Sequence, residues 1–332
     1  MILQFKNTVS DELANKIAAD IQAFCIKMDG ETLLITGSSL KEVPVEIETY
    51  VDKFWVFAND IQLASKKFNK HKRKISLPNV EFGGDTLNTV LIGGPCSVES
   101  EDQLRSSAEL LVELGLTTLR GGCYKPRTSP YSFQGLGLEG LKLLAKMREE
   151  FGLNVITEAR DATHIEEIIE YTDVIQVGAK AMYDQGILRA CAKTSKPVLI
   201  KRGFGTTLQE FVQAAEFVLS GGNENVILCE RGLRTFETGT RFTLDLCGVA
   251  WLQEHINLPI ILDPSHAMGY AYGVPVLARA CVAMGIDGLL IEAHPTPATA
   301  KSDASQQLDY KQFTELLNSL RPVAESVGYK MV

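Results

Sequence analysis

Eight short apolar runs recur from about Thr89 onward, and they restrict the fold of this chain more than any other feature. They are VLIGG from Val90, TTLRGG from Thr117, NVITEA from Asn154, VIQVGA from Val174, VLIKRG from Val198, VILCERG from Val226, PIILDPS from Pro259 and GLLIEAH from Gly288. A continuous apolar run of this length is what a strand buried on both faces needs. The segments between them, such as 100–114, 162–171, 208–219 and 274–284, carry apolar residues at three- and four-residue spacing, as helices do. Eight such βα units in about 240 residues match a (β/α)8 barrel in number and size. A doubly wound sheet is disfavoured, because GGPCSVES after the first strand has a proline and a cysteine where a dinucleotide-binding turn wants glycines.

The first 68 residues have a different character. Ile2 to Phe5 reads as a strand and Ser10 to Gln22 as a helix capped by Ser10. Phe24 to Lys27 and Thr32 to Ile35 read as strands joined at Asp29-Gly30, then comes a weak helix interrupted by Pro44, and Phe54 to Phe57 is a fourth strand. The order β-α-β-β-α-β suits a small ferredoxin-like α+β domain over 1–68. Residues 69–88 read as a linker and a barrel-capping hairpin, with KKFNKHKRK at 66–74 as a basic tether, and 89–332 as the barrel.

Composition bounds the class. A chain of 332 residues with 45% hydrophobic residues can bury a large core, and its formal charge of -8 argues against general nucleic-acid or membrane-surface binding. No apolar run approaches the roughly 20 residues of a membrane span, and the N-terminus lacks a basic, cleavable leader pattern, so a cytoplasmic address is expected. Seven cysteines without close-set pairs suggest reduced thiols rather than a disulfide framework or a zinc ribbon.

Against that acidic background the loop RGGCYKPRTSPYSFQGLG, from Arg120 to Gly137, is basic. Gly121-Gly122 ends the strand, and Pro126 and Pro130 with Thr128 and Ser129 keep helix away until about Leu138. Cations interleaved with Tyr124, Tyr131 and Phe133 point to a pocket for an anion. Polar residues also recur just past each strand: Cys96, Arg120, Glu158, Lys180, Lys201 with Arg202, Arg231, Asp263 with His266, and Glu292. Barrel enzymes build their sites at that face. Arg120, Lys125, Lys180, Lys201, Arg202 and Arg231 together exceed what one carboxylate requires and suit one or two phosphorylated substrates. Cys96, His266, Glu292 and Asp303 form a mixed set appropriate to a borderline divalent ion such as Mn²⁺, Fe²⁺, Co²⁺ or Zn²⁺, although no ligand spacing announces one.

GGPCSVE, LRGGCYKPRTSPYSFQG, VGAK, LIKRGF, ILCERG, DPSHA and IEAHP, in that order, resemble the type I 3-deoxy-D-arabino-heptulosonate 7-phosphate (DAHP) synthases, with their metal-dependent TIM barrel. The resemblance covers about 89–330, and the first domain is similar to a ferredoxin-like regulatory domain found on some members. It implies condensation of phosphoenolpyruvate with erythrose 4-phosphate, the first step of the shikimate route. It implies Cys96, His266, Glu292 and Asp303 as ligands of one divalent metal, and Arg120, Lys125, Lys180, Lys201 and Arg231 around phosphoenolpyruvate. Lys125, Pro126, Arg127, Thr128 and Ser129, with Asp263, would hold erythrose 4-phosphate; Lys125, Glu158 and His266 are the catalytic candidates. Cys123 stands where alanine is expected and puts an oxidisable thiol near the clamp. A homotetramer and an aromatic amino acid effector are further expectations of the resemblance. Two alternatives remain beside it: 3-deoxy-D-manno-octulosonate 8-phosphate synthesis, whose enzymes carry a KANRS-like loop in place of KPRTS, and an inactive barrel that binds an effector or partner.

Overall fold

In the computed structural model, residues 1–125 and 129–332 are described. The chain opens with β1 (Ile2–Phe5), α1 (Asp11–Asp20), β2 (Phe24–Met28), β3 (Glu31–Ile35) and β4 (Val51–Trp55). These strands form an antiparallel sheet in the order β2-β3-β1-β4, the ferredoxin-like arrangement. The Ser10 hydroxyl caps α1 by accepting from Leu13 N at 3.3 Å, and the β2–β3 hairpin turns through Asp29 and Gly30, both at positive φ. The second helix expected before β4 is missing, and only a 3-10 turn at Glu48–Tyr50 stands there. The intervening GSSLKEVPVE has a glycine, two serines and a proline, too many breakers for a helix. One sheet face, with Leu3, Phe5 and Leu34, packs on α1. The other, with Ile2, Ile26, Leu33 and Ile35, is continuous with the apolar layer of the barrel.

The basic stretch is stitched down rather than free, a correction to its reading as a tether. Leu63 and Ala64 are fully buried, Lys66 N donates to His255 O at 2.9 Å, and Asn257 Nδ2 donates to Leu63 O at 2.9 Å. Lys72 and Arg73 pair with Asp287 and Glu224 at 2.8 and 2.6 Å. All these barrel partners lie just before strands or at the ends of helices, at the barrel's N-terminal end. The hairpin of β5 (Lys74–Leu77) and β6 (Val80–Gly83) follows. Its Ile75, Val80 and Phe82 meet the inward-facing Val90, Ile156, Leu199 and Ile261, so the hairpin closes the bottom of the barrel.

The barrel alternates β7 (Asn88–Gly94), α2 (Glu101–Glu113), β8 (Thr118–Arg120), α3 (Leu138–Phe151), β9 (Asn154–Ala159), α4 (Ile165–Tyr171), β10 (Val174–Val177) and α5 (Gln185–Ala192). It continues with β11 (Val198–Lys201), α6 (Leu208–Leu219), β12 (Val226–Glu230), α7 (Leu246–His255), β13 (Ile260–Leu262), α8 (Pro264–Met268), α9 (Val274–Val282), β14 (Gly288–Glu292) and α10 (Tyr310–Ser326). The eight parallel strands are the eight apolar runs. Pairing of β14 with β7, Gly288 opposite Val90 through Glu292 opposite Gly94, closes the ring. A short β15 (Lys330–Met331) adds to the start of β7. With parallel strands closed and in register, the residue following each strand is delivered to one common mouth.

Candidate active site

The mouth is lined by Lys125, Glu158, Lys180, Lys201, Phe204, Arg231, Arg241, His266 and Asp303. Five of these are cationic and two are carboxylates, so this cleft reverses the charge balance of the whole chain. Three sequence expectations, Pro126, Arg127 and Thr128, lie outside the described residues. Ser129 is half-buried, and its hydroxyl accepts from Tyr131 N at 3.3 Å within the loop's own turn.

Beside the cleft, Cys96, Glu292 and Asp303 bring one ligand atom each to within 4.8 Å of one another. Cys96 Sγ is 3.3 Å from Asp303 Oδ2, and His266 Nε2 is 3.4 Å from Glu292 Oε1. Three of the four expected metal ligands therefore cluster and His266 adjoins them through Glu292; they come from the ends of three strands, β7, β13 and β14, with Asp303 on the loop after β14. The surroundings constrain them. Glu292 accepts from Arg120 at 2.8 Å and Gln306 Nε2 at 2.7 Å, and Cys96 N donates to Gln307 Oε1 at 3.0 Å. Asp303 sits at φ 46°, a costly conformation for a non-glycine residue, and Gln306 N donates to its carbonyl at 3.2 Å. Burial beside the Glu292 carboxylate pushes the Cys96 thiol up to about 12, so it is a poor anion unless a cation stabilises it. The buried His266 Nδ1 is 2.7 Å from Asp263 Oδ2 but lacks the alignment of a hydrogen bond. A thiol, two carboxylates and an imidazole, all buried or nearly so, fit a borderline divalent ion and would be expensive to keep together without one.

The cations divide into three kinds. Lys125 is buried, with Nζ 2.9 Å from Cys96 O and 3.2 Å from Cys96 Sγ, between the ligand cluster and the cleft. Lys201 pairs with Asp263 at 2.6 Å, and the neighbouring His266 and Lys201, acting against burial, hold that carboxyl well below the usual range. Arg231 lies against a stacked pair of rings, 4.1 Å from the Phe242 centroid and 5.2 Å from that of Phe204; burial lowers the stability of its charge. Such a desolvated guanidinium, stacked rather than saturated with hydrogen bonds, suits a phosphate or carboxylate. Glu158 faces Lys125 and Lys180 across the cleft because residue 178 is glycine: a Cβ there would collide with Glu158 Oε1.

Two expectations are corrected. Arg202 does not serve the cleft; its guanidinium donates to Glu230 at 2.9 Å, Asp245 at 2.8 Å and Thr206 O at 3.0 Å, which fixes the loop after β12. Cys123 packs under α3, against Gly140, fully buried and away from the cleft lining. The sequence reading missed Arg241, Gln306, Gln307 and the aromatic pair Phe204 and Phe242. Only Phe204 follows a strand closely, within LIKRGF; the others sit on long loops where no period marks them.

The sequence model of the DAHP synthetase I family matches residues 63–327. A phospho-2-dehydro-3-deoxyheptonate aldolase from Thermotoga maritima is 43% identical over 270 residues, 81% of this chain and 79% of that protein. A 2-dehydro-3-deoxyphosphooctonate aldolase from Magnetococcus marinus is 33% identical over 268 residues, 75% of this chain and 92% of that one. Among solved structures, the Thermotoga maritima DAHP synthase superposes with a TM-score of 0.80 at 36% identity, covering 100% of this chain and 98% of that one. A truncated form of that synthase covers 81% of this chain and 98% of its own, with a TM-score of 0.76 at 39% identity. A match that runs through the barrel and every strand-end motif, on a fold that superposes over its whole length, has one reading: the chain belongs to the DAHP synthetase I family.

Proposed function

We propose that this protein condenses phosphoenolpyruvate with erythrose 4-phosphate to give DAHP and phosphate, in the cytoplasm, as a metal-dependent transferase opening aromatic amino acid biosynthesis. The observation that carries the reading is the juxtaposition at one mouth of five cations with a buried cysteine, histidine and two carboxylates. That is a site for two anionic substrates and one divalent ion. Arg120, Lys180, Lys201 and Arg231, with Lys125, are assigned to phosphoenolpyruvate, and the 125–129 loop with Asp263 to erythrose 4-phosphate. Cys96, Glu292, Asp303 and His266 would hold the ion, Mn²⁺, Fe²⁺, Co²⁺ or Zn²⁺, which supplies Lewis acidity to the aldehyde oxygen.

The chain's own groups account for the remaining steps. Paired cations fix both substrates so that C3 of phosphoenolpyruvate faces the aldehyde carbon, a placement that can be worth roughly 10⁵ M in effective concentration. As the new C–C bond forms, the aldehyde oxygen takes a proton from Lys125, whose ammonium lies between the Cys96 carbonyl and the cleft. Positive charge develops at C2, water positioned by Glu158 adds there, and the proton that water loses returns to the neutral Lys125 amine. Cleavage of the C2–O bond of the resulting hemiketal phosphate releases phosphate to the surrounding cations. Phosphate release measured with erythrose 4-phosphate and with arabinose 5-phosphate tests the assignment. Turnover with the four-carbon sugar, lost on chelation and restored by divalent metal, is expected; preference for the five-carbon sugar overturns it in favour of octulosonate synthesis.

A further inference from the structure

A second cavity, of about 330 Å³, lies far from the mouth, between the N-terminal sheet and the side of the barrel. Phe24 and Ile35 line it from the sheet, and Gln213, Phe217 and Ser220 line it from α6 and its C-cap. Its size is that of small-molecule sites. Phe24 is 61% exposed and Phe217 39% exposed, so two aromatic rings that ordinary folding would cover face open space here.

The polar part of this wall holds an unpaired acceptor. Gln62 is only 4% exposed; its Nε2 donates to Thr36 O at 2.7 Å, which fixes the amide orientation and leaves Oε1 buried with no partner. An unsatisfied buried acceptor of this kind is destabilising, and its presence is explained if a donor arrives from outside. Asp60 and Glu216 line the same cavity, while no lysine or arginine does so among the described residues. We propose that this cavity binds a small amphipathic amine, its apolar body against Phe24 and Phe217 and its ammonium donating to Gln62 Oε1 on the side of Asp60.

The site goes beyond the proposed synthase reaction and shares no residue with it. An occupant touches both the N-terminal sheet and α6, so it favours the docked arrangement of the two. The cationic mouth repels an amine, which separates the two sites in an assay. The test is calorimetric titration of the full-length protein, without substrates, using 2-phenylethylamine and its neutral analogue 2-phenylethanol. Saturable binding of the amine at millimolar concentration is expected, at least about tenfold tighter than the alcohol, the scale of one charge-assisted hydrogen bond. Ser220→Phe, which fills the cavity from a half-exposed position, and Gln213→Lys, which adds a cation to its wall, should each abolish binding and leave synthase turnover unchanged. Absence of saturable binding, equal affinity for amine and alcohol, or retention of binding in both variants overturns the proposal. Synthase turnover is read separately, so failure of the cavity and failure of the proposed reaction give different results.

Discussion

At the scale of single residues, Cys96 illustrates how burial and chemistry combine. Its thiol is fully buried and held up near 12, so without a metal ion the site contains a neutral thiol facing Lys125 and Asp303. A cysteine kept only for packing would tolerate alanine at little cost, whereas a ligand would not. Cys96→Ala is therefore expected to lower turnover by more than ~100-fold, beyond what loss of an outer partner of a metal ligand costs, and to retain far less metal after dialysis. Circular dichroism should stay near that of the parent. Elemental analysis beside an activity assay checks this, and an active variant with undiminished metal would remove Cys96 from the ligand set. Three of the four expected ligands, Cys96, His266 and Glu292, were legible in sequence because each closes or follows a strand in a recognisable motif. Arg241, Gln306 and Gln307 were not: a polar residue on a long loop gives no sign of which neighbour it will meet.

At the scale of elements, the helix α6 joins two parts of the molecule through Glu216. That carboxylate accepts from the backbone N–H groups of Gln62, Leu63 and Ala64 at 2.6, 3.2 and 2.9 Å, pinning the segment that leaves the N-terminal sheet. Burial pushes its pKa up to about 7 even though these three donors pull it down. The folded protein thus binds this proton more tightly than the unfolded chain, whose ordinary value is 4.5. The associated stabilisation is fully present below that value and is lost as pH rises through about 7. Melting temperatures should accordingly fall between about pH 6 and about pH 8, and Glu216→Gln, which keeps an acceptor but cannot ionise, should narrow that difference by a few degrees. An unchanged difference would show that Glu216 keeps its charge across the range. The strand and helix pattern was legible because periodicity survives in a single sequence. The pinning was not, since KKFNKHKRK reads as solvated until its carbonyl and carboxylate partners, far along the chain, are in place.

At the scale of the whole molecule, the placement of the N-terminal domain limits how it could control the barrel. Its connecting segment is anchored to His255, Asn257, Asp287 and Glu224, all at the N-terminal end of the barrel, while the proposed chemistry lies at the opposite mouth. Within one chain the domain cannot cover its own cleft without breaking these contacts. Inhibition by an aromatic amino acid, if the domain mediates it, must then act on the mouth of another copy in a homotetramer or through the barrel itself. A cut near Lys70, at the domain edge read from the sequence, would remove Leu63 and Ala64, which are fully buried in the layer shared with the barrel. A chain beginning at Asn59 retains them and loses only the sheet that covers them. That shortened chain is expected to keep synthase turnover and to lose inhibition by tyrosine or phenylalanine, at some loss of stability because the apolar face at Leu63 and Phe217 is uncovered. Turnover measured with and without each amino acid, alongside the mass in solution, decides the matter. Inhibition that persists in the shortened chain would place the effector on the barrel, and absence of inhibition in the full chain would leave the domain with an assembly role alone.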